Sequence, residues 1–283
     1  MKAALLQWYP QTFSVDHNPG GLAFDGSNIW IVKSYANTVT KLLASTGATV
    51  GTYPVGSNPI HVAFDGSNVW VTNSYSDTVT KLLASTGATI GTYPTGSFPY
   101  GVAFDGRNIW VTNAYSDTVT KLLASTGETI GTYPVGSFPF AVAFDGSNIW
   151  VANGASNTVT KLLASTGATV GTYAVGSTPQ GVAFDGSNIW IANSYGNTVT
   201  KLLASTGETV GTYPVGSFPV GVAFDGNNIW VANYSSSTVS KLLASTGATV
   251  GTYNIGGYPY AVAFDGSSIW ATNSLGNTVT KLP

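Results

Sequence analysis

The four residues AFDG at positions 23–26 decide the fold, because the same letters begin again at 63, 103, 143, 183, 223 and 263, always 40 residues apart. A repeat of about 40 to 45 residues with strand-like content is typical of one blade of a β-propeller. Four strands of about six residues and four turns of about four residues fill such a unit. The sequence therefore predicts an all-β, seven-bladed β-propeller with four antiparallel strands per blade.

Residues 18–57 show how one blade is built. Strand a is expected at 21–24 and strand b at 29–33, joined by an Asp-Gly turn that tolerates a positive φ. Strand c is expected at 38–43 and strand d at 48–55. No stretch combines helical periodicity with capping residues, so no helix is expected.

The two ends of the chain predict a closed ring. Residues 258–283 supply strands a, b and c of a last blade, and residues 11–15, QTFSV, align with the strand d sequence GTYPV. Strand d of the last blade would then come from the other terminus, which also covers the sheet edge. We expect one domain over residues 1–283, with blades at 18–57, 58–97, 98–137, 138–177, 178–217, 218–257, and 258–283 plus 1–17.

The repeat also resembles a known family. Its text P-x-G-V-A-F-D-G-S-N-I-W-V-x-N-S-x-x-x-T-V-T-K-L, represented by residues 99–122, is similar to the NHL and YVTN group of propeller repeats, which includes the streptogramin B lyase-like propellers. The resemblance covers all seven units and implies the propeller fold. The group contains enzymes, binding modules and proteins without an assigned role, so the fold alone does not imply a function.

Composition narrows the classes of partner. Charged residues make up 8% of the chain, against about 25% in an average protein, and the formal net charge is −2. No cluster of Lys and Arg could follow a phosphate backbone, so no nucleic acid partner is expected. No apolar run could span a bilayer, and the apolar run in the start MKAALLQWYP is too short for the apolar region of a secretory signal. We expect a monomer without a cofactor; the sequence leaves a cytoplasmic or a secreted location open.

Differences among the seven units concentrate in the d–a and b–c loops, which emerge on the same side of an up-and-down blade. We call this side the top face and the other side the bottom face. Many of the variable residues are aromatic, which suits contact with sugar faces, peptides or another protein. The predicted ligand-binding residues are Phe98, Tyr100, Phe138, Phe140, Tyr258, Tyr260, Tyr75, Tyr115 and His61. The alternative is that these rings only pack between neighbouring blades.

The sequence predicts no catalytic residue and no metal ligand. Its two histidines, His17 and His61, are expected at the top of adjacent blades, whereas Glu128 and Glu208 are expected on the bottom face. The resemblance implies that a lyase of this group would use a His and Glu cluster with a divalent metal, and no unit carries a His-x-Glu pattern. His61 is also the one bulky residue where strand a begins near the axis, and we expect it partly to plug the channel mouth.

Three residue types recur once in every blade. The tryptophan of strand b is expected in the core between blades, and the aspartate of AFDG is expected to stabilise its turn and not to bind calcium. The lysine of strand c is expected to lay its stem on apolar surface and in some blades to reach a carboxylate of the adjoining sheet.

Three functions remain open at this point. The first is a non-enzymatic binding module whose aromatic top face binds a carbohydrate or another extended polymer, with a peptide or a protein as further ligand classes. The second is a metal-dependent lyase or hydrolase with His61 as base. The third is a structural repeat protein, recently amplified or designed, without a dedicated ligand.

Overall fold

The computed structural model describes residues 9–283, which form 28 β-strands in seven four-stranded antiparallel sheets. The seven sheets are the blades of a propeller, so the predicted fold class is confirmed. Residues 1–8, part of the predicted split blade, lie outside the described residues. The described residues contain no helix that is long and apolar enough to cross a membrane.

The strands of each blade run from the axis to the rim in the order a, b, c, d. The a strands are β2 (Pro19–Phe24), β6 (Pro59–Phe64), β10 (Pro99–Phe104), β14 (Pro139–Phe144), β18 (Pro179–Phe184), β22 (Pro219–Phe224) and β26 (Pro259–Phe264). The b strands are β3 (Asn28–Lys33), β7 (Asn68–Asn73), β11 (Asn108–Asn113), β15 (Asn148–Asn153), β19 (Asn188–Asn193), β23 (Asn228–Asn233) and β27 (Ile269–Asn273).

The outer half of each blade repeats as regularly. The c strands are β4 (Thr38–Leu43), β8 (Thr78–Leu83), β12 (Thr118–Leu123), β16 (Thr158–Leu163), β20 (Thr198–Leu203), β24 (Thr238–Leu243) and β28 (Thr278–Leu282). The d strands are β1 (Gln11–Ser14), β5 (Thr49–Pro54), β9 (Thr89–Pro94), β13 (Thr129–Pro134), β17 (Thr169–Ala174), β21 (Thr209–Pro214) and β25 (Thr249–Asn254). A 3₁₀ turn at Ser34–Ala36 is the one helical element of the described residues.

The ring closes as the sequence predicts. Strand β1 pairs with β28 in the register Gln11 to Lys281 and Ser14 to Thr278, and so becomes strand d of the seventh blade. The Phe13 ring stacks on the indole of Trp270 with 5.5 Å between ring centroids. In the other blades a tyrosine occupies the place of Phe13, as Tyr53 does beside Trp30. The contacts of the closing strand therefore repeat those of an ordinary strand d.

The strand b tryptophans form the core between blades, as predicted. All seven are at most 1% exposed, and Trp30 packs with Val62 and Val69 of the next blade. The indole Nε1 of Trp30 donates a 2.7 Å hydrogen bond to Asp25 Oδ2, while Asp25 Oδ1 accepts the main-chain N–H groups of Ser27 and Asn28. The aspartate thus stabilises its turn and also satisfies the one polar group of the buried indole.

The strand c lysines correct one prediction. Instead of a carboxylate in the adjoining sheet, Lys41 Nζ donates to the main-chain oxygen of Ala84 in the next blade, at 2.6 Å, and lies 5.1 Å from the Trp30 ring centroid. The one ion pair within residues 9–283 joins Lys281 to Asp265 of the same blade, at 3.4 Å. The reason is geometric, because each aspartate is already turned toward its own indole.

Candidate functional site

Every d–a loop of the top face has a left-handed residue at the same position, directly before the proline of strand a. The residues are Asn18, Asn58, Phe98, Phe138, Thr178, Phe218 and Tyr258, with φ from 49° to 60°. In most blades a side chain at the end of the preceding b–c loop fixes this conformation: Asp77 Oδ1 accepts the Phe98 N–H, and Asp117 Oδ1 accepts the Phe138 N–H, both at 2.8 Å. Two acidic residues of the top face, Asp77 and Asp117, thus position its aromatic rings.

A continuous set of rings, which we call the aromatic row, crosses blades 2 to 4. Its members are Tyr75, Phe98, Tyr115, Phe138, Phe140 and Tyr100, in order of contact. The centroid separations along this order are 6.0, 4.4, 5.5, 5.0 and 4.9 Å. Tyr75 is 73% exposed and Tyr115 is 63% exposed, whereas the three Phe rings and Tyr100 are half-buried.

A shorter second row crosses the top of blades 5 to 7. Tyr195, Phe218, Tyr234 and Tyr258 follow one another with centroid separations of 5.3, 6.1 and 5.1 Å. Tyr258 was predicted as a site residue, and its ring is 41% exposed. The structure adds Tyr195, Phe218 and Tyr234 to this row. The sequence could have indicated them, because they lie in the same aromatic-rich d–a and b–c loops as the predicted residues.

The inner end of the aromatic row meets rings from two other blades on the axis. The hydroxyl groups of Tyr100 and Tyr260 are hydrogen-bonded to each other across the ring. The His61 imidazole packs against both phenols, with centroid separations of 5.3 Å to Tyr100 and 5.8 Å to Tyr260. Rings of blades 2, 3 and 7 therefore close the axis at this depth. The sequence predicted such a role for His61 but not for the two tyrosines.

A threonine hydroxyl inserted between neighbouring blades holds this cluster in place. Thr72 Oγ1 accepts the main-chain N–H of His61 at 3.0 Å and donates to the main-chain oxygen of Tyr100 at 2.7 Å. Thr112 makes the corresponding bonds to Gly101 and Phe140, at 2.7 Å each. Sequence reasoning missed these two residues. The sequence could have indicated them, because three blades have Thr at a strand b position where the other four have Val or Ala.

Burial sets the protonation states of the axial cluster. Desolvation lowers the pKa of His61 to about 4, so its imidazole is neutral at pH 7. Desolvation also raises the pKa of Tyr100, and it raises that of Tyr260 further because the neighbouring Tyr100 adds to the effect. All three rings are therefore uncharged over the physiological pH range.

Above this cluster lies a depression of about 520 Å³, which we call the central depression. Its lining includes Tyr100 and Tyr260 at the floor, Phe218 and Tyr234 from the second row, and Gln180. Its lining also includes Gly20 of blade 1, at a position where the other blades have larger side chains. None of the residues that line it carries a charge. The sequence did not predict the depression or the place of Gln180 in it.

The residues present do not fit the His and Glu metal site that the resemblance implies. Within residues 9–283 no three His, Asp or Glu side chains lie close enough together to hold a metal ion. Glu128 and Glu208 follow the c–d turns of the bottom face, far from His61 at the axis. The partners that His61 does contact are two neutral phenol rings. A base would need a carboxylate or a substrate proton within hydrogen-bond reach.

Comparison with known proteins shows which solved structures have a similar fold. No protein family model matches it, and no curated protein matches its sequence. A streptogramin B lyase structure aligns with 96% of this chain and 96% of its own, at a TM-score of 0.83 and 20% identity. Virginiamycin B lyase from Staphylococcus aureus aligns at a TM-score of 0.83 and 19% identity, covering 96% of this chain and 98% of its own.

A further solved structure carries a different name. Hydrazine synthase of Kuenenia stuttgartiensis aligns with 95% of this chain and 97% of its own, at a TM-score of 0.84 and 19% identity. At these identities the likeness shows the fold alone. The resemblance seen in the repeat is confirmed at that level: the structural neighbours of this chain include streptogramin B lyase-like seven-bladed β-propellers.

Proposed function

We propose that this protein is a non-enzymatic binding module whose top face binds a neutral carbohydrate chain along the aromatic row. The observation that carries the proposal is the backbone conformation of its phenylalanines. Phe98 and Phe138 both have φ of 56°, a region that bulky L-residues avoid, at a cost of about 1–2 kcal/mol each. In blades 1 and 2 the same position is Asn18 and Asn58, the residue type that tolerates this conformation best after glycine.

The strained rings are not needed to build the loop. Asn58 has the same left-handed φ in an otherwise equivalent loop, and its main-chain N–H donates the same kind of capping hydrogen bond, to Asn37 Oδ1 at 2.8 Å. Each phenylalanine therefore gives up backbone stability to place a large ring beside an exposed tyrosine. Strain of this kind is concentrated at functional sites, which favours a binding role over packing alone.

The chemistry of the surface favours a sugar as the ligand. Flat rings can lie against the C–H faces of pyranose units, and the tyrosine hydroxyls at their edges can exchange hydrogen bonds with sugar hydroxyls. Asp77 and Asp117 are the acidic residues beside the aromatic row, and a carboxylate oxygen of each is bound to a main-chain N–H. Repeated similar rings also suit a repeating ligand, because several weak contacts add up along one chain.

The test is a double variant, Phe98→Asn with Phe138→Asn. Stability should change by less than about 1 kcal/mol, because relief of the backbone strain offsets the lost ring contacts. Affinity should fall at least about tenfold, which corresponds to roughly 1.4 kcal/mol over two ring contacts. Calorimetry against soluble neutral β-glucan, xylan and mannan measures the affinity, and guanidine denaturation measures the stability.

Thr178→Asn is the matched control, because it makes the same replacement at the same loop position in a blade without an aromatic residue there. It should leave the affinity unchanged and raise the stability slightly, because Asn tolerates the φ of 53° better than the β-branched Thr178 does. The proposal fails if the parent protein binds none of the three polysaccharides, or if the double variant binds as tightly as the control.

A further inference from the structure

The central depression differs from the rest of the top face because it has a closed floor. Its floor is the pair of hydrogen-bonded tyrosines, Tyr100 and Tyr260, which come from blades on different sides of the axis. His61 lies on strand a of blade 2, one position further along the strand than Tyr100 and Tyr260 occupy in their own blades. Its ring packs against both phenols. A polymer that enters the recess cannot continue through the axis at this depth.

The size and the polar groups of the recess suit one or two sugar units. Its volume of about 520 Å³ lies within the range of about 300–1,000 Å³ that is usual for small-molecule sites. The Gln180 side chain lines it and has no hydrogen bond to any of the residues 9–283. Each floor hydroxyl keeps hydrogen-bonding capacity beyond its bond to the other. The depression thus offers amide and hydroxyl groups between aromatic walls, without a charge.

The aromatic row leads into this recess. Its two end members, Tyr75 and Tyr100, both line the recess, and Tyr100 is also part of the floor. Each ring between them contacts the next, so a chain lying on the row would meet the recess at its end. The second row also reaches the recess, at Phe218 and Tyr234, but unlike the aromatic row it shares no ring with the floor.

We infer that the central depression binds the terminal residue of a neutral polysaccharide, while the aromatic row binds the residues that follow it. The inference rests on the proposed function and goes beyond it, because it makes the protein a reader of chain ends. A side-on binder would take any internal stretch of the polymer equally well. An end reader binds in proportion to the number of free ends.

The experiment uses hexasaccharides of β-1,4-linked glucose, mannose, xylose and N-acetylglucosamine, each in three forms. One form is unmodified, one has its non-reducing end blocked by O-methylation, and one has its reducing end opened by reduction to the alditol. Calorimetry with the intact protein should show that one of the two end modifications weakens binding at least about tenfold. The other modification should have no effect.

Two variants connect the end effect to the recess. Gln180→Ala should weaken binding of the unmodified hexasaccharide about fivefold, as expected for one lost hydrogen bond, and should not further weaken the blocked form. Tyr100→Phe with Tyr260→Phe removes both floor hydroxyls together, which spares the fold an unpaired buried group. This double variant should likewise weaken binding of the unmodified hexasaccharide and should not further weaken binding of the blocked form.

The possible outcomes separate this inference from the proposed function. If both end-modified forms bind like the unmodified hexasaccharide, or if the recess variants leave the affinity unchanged while Phe98→Asn with Phe138→Asn lowers it, the inference is overturned and the binding function stands. If the parent protein binds no hexasaccharide in any form, both proposals fail.

Discussion

The aspartate of each a–b turn shows how one side chain serves two structural purposes. Asp105 accepts main-chain hydrogen bonds from Arg107 and Asn108 and an indole bond from Trp110 at 2.7 Å. Burial by itself would raise the pKa of this carboxyl group, but the hydrogen bonds outweigh it and the pKa is lowered. The same direction holds at Asp25, Asp65, Asp145, Asp185, Asp225 and Asp265.

These seven carboxylates predict a stability that is lost in acid. An unfolded chain takes up their protons near pH 4, whereas the folded chain resists until lower pH. The contribution of these carboxylates to the free energy of unfolding should therefore be complete above about pH 4 and should fall as the pH drops below it. Guanidine denaturation at pH 7, 4, 3 and 2.5 measures this, and Asp105→Asn should make the acid slope less steep. A stability that stays flat down to pH 2.5 would contradict the assignment.

His61 makes the stability depend on pH in a second range, which lies above that of the carboxylates. Its pKa is about 4 in the folded protein and about 6.5 in an unfolded chain, so the unfolded state binds one more proton between these values. Stability should thus rise modestly with pH across this interval, and His61→Gln should remove that slope while leaving the acid window unchanged.

At the residue scale the sequence predicted the Asp-Gly turn and the burial of the tryptophans, but not the bond between them. An Asp and a Trp five positions apart meet only because the turn brings strand b back beside strand a. The lysine prediction failed for the same reason. It assumed free carboxylates, and the indoles already occupy them.

At the scale of the blade, lysine links each sheet to the next. Lys121 Nζ donates to the main-chain oxygens of Ala164 and Ser165 at 2.7 and 3.3 Å, and it lies 5.0 Å from the centroid of the Trp110 ring. Burial lowers the pKa of this ammonium group, which the carboxylate of Asp105 partly offsets. A buried cation bound to carbonyls and an indole is satisfied without a salt bridge.

Lys121→Met should therefore destabilise the protein by about 1–3 kcal/mol, because it keeps the apolar stem but leaves the oxygen of Ala164 without its donor. Arg107→Met removes an exposed positive charge from the same blade and should change stability by less than about 0.5 kcal/mol. Guanidine denaturation of both variants gives the comparison. Equal effects would mean that net charge matters here and the bond between blades does not.

Strand positions within a blade were largely predictable, since the predicted bounds of strand c agree with β4 and those of strand d lie within one residue of β5. Strand a begins two residues earlier than predicted in β2, at a proline. The pairing of strands a and b shifts register just after that residue. The same shift occurs in all seven blades, and it leaves main-chain groups of strand a free to bond a neighbouring blade, as the oxygen of Tyr100 bonds Thr72. Contacts between blades are not visible in one repeat read alone.

At the scale of the molecule, ring closure depends on a single short strand. The sequence predicted this closure and the face that carries the aromatic residues, because both follow from the repeat and its connectivity. It could not predict the order of ring contacts or the central depression. Those depend on which side chains from blades 2, 3 and 7 meet across the axis, and no local pattern encodes that meeting.

Deleting residues 1–14 should lower the free energy of unfolding by about 3 kcal/mol or more, because it removes the Phe13 ring from Trp270 and exposes the edge of β28. A circular permutant that places residues 9–14 after Pro283 through a short Gly-Ser linker restores the same strand. It should regain most of the loss in guanidine denaturation. A deletion variant as stable as the parent would show that β1 does not hold the ring closed.

The order of the chain has a consequence for synthesis. Strand β1 is translated before its partner β28, and at about 5–20 residues per second the intervening residues take roughly 15–50 s. During that time a strand meant for a sheet edge has nothing to pair with, a condition that invites aggregation. Its sequence, QTFS, is the shortest of the d strands and has one apolar residue, whereas β5 reads TVGTYP. Among the d strands, β1 therefore offers the fewest apolar residues to a neighbouring nascent chain while it waits for β28.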